Sequence, residues 1–172
     1  MVKIIGGIMI ILASSLLGMI FSMETSQKLN TLYEIQRILI MLKGEITYNK
    51  APAAEAFLSL SEHVKEPFGK FFRKTGQELN QGFGKTIETV WWECCDSELG
   101  GLVIDKEDKQ AFRELGSCMG YLDAGMQISS LTLYSEKLDM RIRESTQGIK
   151  ERQKIFKVMG IMGGIFIVLL MA

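Results

Sequence analysis

The chain is expected to fold as an all-α protein, an antiparallel bundle of about six helices between N- and C-terminal transmembrane helices. Three observations lead there. Apolar residues recur at three- and four-residue spacing through almost the whole centre of the chain. No alternating run competes as a strand; the nearest, Leu102-Val103-Ile104, is too short to build a sheet. The apolar content is concentrated at the two ends, which account for a mean hydropathy of +0.15. Three segments follow: an anchor over 1–23, a helical domain over 24–157 and a second anchor over 158–172.

Ile4 to Met23 is a run of 20 residues without a charge, interrupted by Ser14, Ser15 and Ser22. At about 1.5 Å per residue a helix of that length crosses a hydrocarbon core of about 30 Å. A cleaved signal peptide would use Lys3 as its basic flank, but the run is long for that and no Ala-x-Ala site closes it. A retained anchor is expected. The first helix of the domain continues from it, with Leu29, Leu32, Tyr33, Ile35, Leu39, Leu42 and Ile46 on one side. Pro52 suits the first turn of a second helix, reaching about Val64. Pro67 opens a third, carrying Phe68, Phe71, Phe72 and Leu79, and Gly82 with Gly84 marks a turn. A fourth helix holds Ile87, Val90, Trp91 and Cys94 until Gly100 and Gly101 break it. Asp105 reads as the N-cap of a fifth, running to about Leu122 through Phe112, Leu115 and Met119. The last helix starts near Gly125, with Ile128, Leu131, Leu138, Ile142 and Ile149 on its apolar side, and enters the C-terminal run.

Val158 to Ala172 carries no charge and is apolar all round, so a helix there has no polar face to show to water. Gly160 and Gly164 form a small-xxx-small pair, as do Ser14, Gly18 and Ser22 in the first run. In lipid that spacing lets two helices approach closely, so the two spans are expected to pack on each other through Gly18, Gly160 and Gly164. Arg141, Arg143, Lys150, Arg152, Lys154 and Lys157 precede the second span, and Lys28, Arg37 and Lys43 follow the first, against Lys3 alone outside. Basic residues near a span stay on the cytoplasmic side, so a cytosolic domain with both termini across the membrane is expected. The six-residue cluster also suits a collar on anionic lipid headgroups.

Chemistry is hard to find. Twenty basic residues balance twenty acidic ones, so no general positive field holds nucleic acid. No phosphate-binding loop or HExxH occurs, and Gly82-Phe83-Gly84 is a lone GxG after a helix. His63 is the single histidine, at a helix end beside Lys65 and Glu66, where it reads as solvated. Glu62, Glu66 and Glu78 read as a wet helix face. Cys94, Cys95 and Cys118 are odd in number and lack Cys-x-x-Cys spacing, which suggests small buried hydrophobes in a reducing compartment. No enzyme activity, cofactor, metal or small-molecule substrate is expected.

Several stretches resemble the stage III sporulation protein AB family of endospore-forming bacteria. Leu42-Lys43-Gly44-Glu45-Ile46-Thr47-Tyr48 with Pro52 after it is similar to the family's L-x-x-E-I-x-Y pattern. Gly120-Tyr121-Leu122-Asp123-Ala124-Gly125-Met126-Gln127 resembles its G-x-x-D-x-x-x-Q pattern. Trp91 falls where that family tends to carry tryptophan, and Gly163 to Leu170 resembles its tail. Cys94, Cys95 and the doubled Trp91-Trp92 depart from it. The resemblance implies a part of the channel apparatus between mother cell and forespore. Its domain is likened to that of type II secretion and type IV pilus platform proteins. That implies a scaffold in the mother-cell membrane around the forespore, binding other stage III channel proteins and a cytosolic ATPase. A generic membrane-tethered adaptor is the alternative. The membrane-distal end would hold the docking surface: Glu45, Tyr48 and Asn49 after the first helix, Asp123 and Gln127 between the fifth and sixth. Glu45, Asp123 and Gln127 can equally cap or brace helix ends.

Overall fold

The structure, a computed structural model, describes residues 25–49, 52–82, 84–120 and 123–171; for residue 49 and residues 149–171 it gives the backbone alone. Among the described residues there are six α-helices and no strand. The expected N-terminal span, Gly18 included, lies outside them. The side chains of the C-terminal run, with Gly160, Gly164, Lys150, Arg152, Lys154 and Lys157, do so too. Among the described residues no helix is long and apolar enough to cross a membrane.

Helix α1 (25–44) buries Leu32, Ile35, Ile38, Leu39 and Leu42 in one stripe, each at most 2% exposed. Tyr33, read with that stripe in the sequence, is instead 46% exposed on the other side. The chain does not turn at Glu45 as expected. It continues as a π-helical turn, Glu45–Asn49. Pro52 then sits just ahead of α2 (Ala53–His63) in extended geometry, φ −53° and ψ 145°. Helix α3 (Phe68–Asn80) begins directly after Pro67. It lies close against α2 because Gly76 has no side chain: a Cβ there would stand 2.8 Å from Leu58 Cγ and 2.9 Å from the Ala54 carbonyl oxygen. The expected turn follows, with Gly82 and Gly84 at φ +66° and +71°, a region side chains disfavour.

Thr86 caps α4 (Ile87–Glu98), its Oγ1 accepting from the Thr89 amide at 3.2 Å. Asp105 stands at the N-cap of α5 (Lys106–Met119), but its carboxylate makes no cap bond and pairs with Lys28 on α1 instead. Helix α5 ends at Met119, three residues short of the expected Leu122, with Gly120 as its C-cap. Helix α6 (Ala124–Met171) then runs as one rod of 48 residues.

Helices α2 to α6 pack each on the next. Their centre is aromatic: Phe57, Phe68, Phe71, Phe72, Trp91 and Phe112, all at most 2% exposed. Trp91 lies edge-on to Phe71 at 4.8 Å and to Phe72 at 5.8 Å, and tilted to Phe112 at 5.3 Å. Its indole N–H donates to the Phe112 carbonyl at 3.2 Å, so the one polar atom of the cluster is satisfied. Cys94 and Cys95 are buried in the same core, as expected. Helices α1 and α6 pass each other antiparallel. Gln36 donates to Asp139, and Lys43 donates to Thr132 at 2.9 Å. A seven-residue advance along α1 is a seven-residue retreat along α6.

Candidate docking surface

Five elements meet at the end of the bundle away from the start of α1: the end of α1, the π-turn, the start of α2, the end of α5 and the start of α6. Between them lies a cleft of about 430 Å³. Leu42 lines it from α1, Ile46 and Thr47 from the π-turn, Ala53, Ala56 and Phe57 from α2, Met119 from α5, and Ala124, Gln127 and Ile128 from α6. Leu42, Phe57 and Met119 are buried and form its floor. Three of the wall positions are alanine, which leaves space that larger side chains would fill. Sequence reasoning missed Thr47, Ala53 and Ala56 as site residues. The alanine-rich opening of α2 beside Pro52 was the signal for the two alanines.

Of the residues expected to dock a partner, Gln127 lines this cleft, and Glu45, Tyr48 and Asp123 are chain neighbours of residues that line it; several also brace this end of the bundle. Asp123 Oδ2 accepts from the Met126 amide at 2.9 Å and caps α6. Gln127 Nε2 donates to the Met119 carbonyl at 3.1 Å, satisfying an acceptor at the open end of α5. Glu45 Oε1 accepts from Ser59 Oγ at 3.0 Å and ties the π-turn to α2. Tyr48 does none of this; it is 84% exposed, the most exposed large hydrophobic residue among those described. The side chain of Asn49 lies outside the described residues.

At the opposite end Lys28 and Asp105 join α1 to the start of α5. Arg141, expected in the basic collar, reaches α5: its Nε lies 3.4 Å from Asp108 Oδ1, and its Nη1 3.9 Å from Glu144. Asp108 is only 6% exposed. Burial pushes its carboxyl above the ordinary range, and Arg141 opposes that shift without cancelling it. Arg143 is exposed.

Cys94, Cys95 and His63 do not line the tip cleft. Burial pushes the Cys95 thiol up to about 12, and Cys94 is raised for the same reason, so neither supplies a thiolate at neutral pH. His63 is exposed at the end of α2, its Nδ1 2.9 Å from the Ser59 carbonyl. Among the described residues no group of three His, Cys, Asp or Glu side chains could hold a metal ion. A second cavity, about 280 Å³, lies between the end of α4 and α5, and Arg113 and Asp96 on its wall pair with each other at 3.0 Å.

These features define a class: an all-helical bundle carried between its first and last helices, with a lined cleft where those helices turn back. The chain belongs to the Stage III sporulation protein AB family, whose model matches residues 3–172. It is 20% identical over 171 residues to Stage III sporulation protein AB of Bacillus subtilis (strain 168), covering 99% of each chain. Its fold matches a solved structure of a Stage III sporulation protein AB with a TM-score of 0.65 and 18% identity. That match covers 72% of this chain and 97% of the other.

Proposed function

We propose that this protein is a non-enzymatic platform of the stage III sporulation apparatus, held in the mother-cell membrane by its two terminal runs. Its bundle stands in the cytosol, and the cleft at the tip docks a soluble partner. The family resemblance implies an ATPase in that place. The observation that carries the reading is the position of the cleft: about 430 Å³ of apolar-lined space at the end of the bundle away from the start of α1, with Tyr48 exposed beside it.

The sequence supports the anchors: neither Ile4 to Met23 nor Val158 to Ala172 carries a charge. Of the six collar residues, Arg141 is engaged by Asp108. The other five attract anionic headgroups at roughly 1 kcal/mol each.

Filling the cleft tests the reading. Thr47→Trp is expected to weaken docking at least about tenfold, a loss of about 1.4 kcal/mol, and thereby to lower heat-resistant spore counts. The protein level in the membrane fraction should stay normal, and Glu107→Trp at the other end should leave spore counts unchanged. Normal counts with Thr47→Trp would remove the cleft from the function.

A further inference from the structure

Helices α1 and α6 bury one side in the core and leave the opposite side bare, and that bare side carries a repeat. Of eight large hydrophobic residues exposed among those described, five lie on these two helices at seven-residue steps. They are Tyr33 and Ile40 on α1, and Met126, Leu133 and Met140 on α6, each between 46% and 65% exposed. Seven residues are close to two turns, so each set is a stripe along its helix. Ile40 is three or four residues from the seam residues Lys43 and Gln36, and Leu133 and Met140 stand about 200° round α6 from the buried Leu131 and Leu138. The stripes therefore flank the α1–α6 seam on its outer side. Arg37 and Glu136 stand among them, and charges at those positions make a lipid surface a poor cover.

We infer that this face pairs with the same face of a second copy, about a two-fold axis running along the helices. Such an axis keeps every residue at its own height and sets α1 of one copy against α6 of the other. Within one copy, residue 33 is level with 142, residue 37 with 138 and residue 40 with 135. Across the axis Tyr33 then faces Met140, Arg37 faces Glu136 and Ile40 faces Leu133. All three pairs share one offset of two residues, about 3 Å. Apolar meets apolar and cation meets anion in a single register, which is what an isologous contact requires. The four helices become an antiparallel bundle in which every neighbour runs opposite. Taken over the whole described length of α1, about 30 Å, and about 20 Å across two helices, the face offers up to roughly 600 Å² per copy, or about 1,200 Å² in all, the lower end of specific interfaces; the apolar stripes run about 21 Å of that on α6 and about 10 Å on α1. The pairing does not depend on the tip cleft, and anchors in one membrane would hold both copies upright in this sense.

The full chain in mild detergent, followed by sedimentation and disulfide trapping, tests it. Chains carrying Ile40→Cys mixed with chains carrying Leu133→Cys should form mixed disulfide dimers faster than either alone. They should also outpace Ile40→Cys mixed with Gln77→Cys, on α3. Ile40→Glu should weaken self-association at least about tenfold, with its helical circular dichroism unchanged. Arg37→Glu should weaken it as well, and the swap Arg37→Glu with Glu136→Arg should restore it. A monomer at every concentration, trapping no faster than with Gln77→Cys, or a dimer indifferent to Ile40→Glu would each overturn the pairing.

Discussion

Trp91 and its neighbour Trp92 show how much of this fold turns on single side chains. The pair departs from the family pattern, and the structure supplies a reason. Both indole N–H groups donate to consecutive carbonyls of α5, Phe112 and Arg113, each at 3.2 Å. Trp92 also lies under the Arg113 guanidinium, 5.2 Å from its ring centre. Gly116, one turn along α5 from Phe112, exists to make room. A Cβ there would stand 2.4 Å from two atoms of the Trp91 ring. That ring is wedged between Phe57, Phe71, Phe72 and Phe112 and has nowhere to go. Gly116→Ala gains helix propensity of at most about 1 kcal/mol. Overpacking outweighs that, for a net loss of about 2 kcal/mol. Thermal unfolding should show a drop of roughly 4–8 °C; an unchanged midpoint would mean the ring can shift after all. In the sequence Trp91 was legible as core, but Gly116 was not, since a mid-helix glycine declares no partner.

At the scale of the helices, punctuation made the elements legible. Pro52, Pro67, Gly82 with Gly84, and Gly100 with Gly101 separate the segments, and each helix is found between them. What escaped was decided by contacts between elements. Asp105 has the right residue type to cap α5, yet its carboxylate goes to Lys28, 77 positions away in the chain. The π-turn at Glu45–Asn49 has no pattern in a single sequence that marks it off from an ordinary helix end. Arg141 read as juxtamembrane charge, and it also holds α5 to α6 through Asp108. That contact has a pH signature. The Asp108 carboxyl is raised in the folded state, so it holds its proton more tightly there than in the unfolded chain. Its stabilising contribution is therefore complete below the ordinary carboxylate range and is lost as pH rises through the folded-state value. Compared with Asp108→Asn, the wild-type protein should gain relative stability between neutral pH and about pH 4. Parallel thermal melts at the two pH values measure this. A gap moving in favour of the asparagine variant on acidification would show that Arg141, not burial, dominates the site.

For the molecule as a whole, the ends and the middle of the sequence carry different signals. The apolar runs and the flanking charges stand out in composition, and the resemblance rested on short motifs that fall mostly at the tip. Asp123 and Gln127 were legible as residues, and both of their expected roles place them at the α5–α6 connection. The cleft itself was not, because its walls come from positions 42 to 128 on five elements and exist only once those elements meet. The same holds for the outer face of α1 and α6, whose seven-residue repeat matters only when the inner face is known to be filled.

The central claim is that the tip is where this protein meets a soluble partner. The most direct measurement places a photo-crosslinking amino acid at Tyr48 in sporulating cells, with Glu107 at the other end as its control. A crosslink from Tyr48 to the ATPase of the stage III apparatus, absent from Glu107, is the predicted result. No adduct at Tyr48, or the same adducts from both positions, would contradict it.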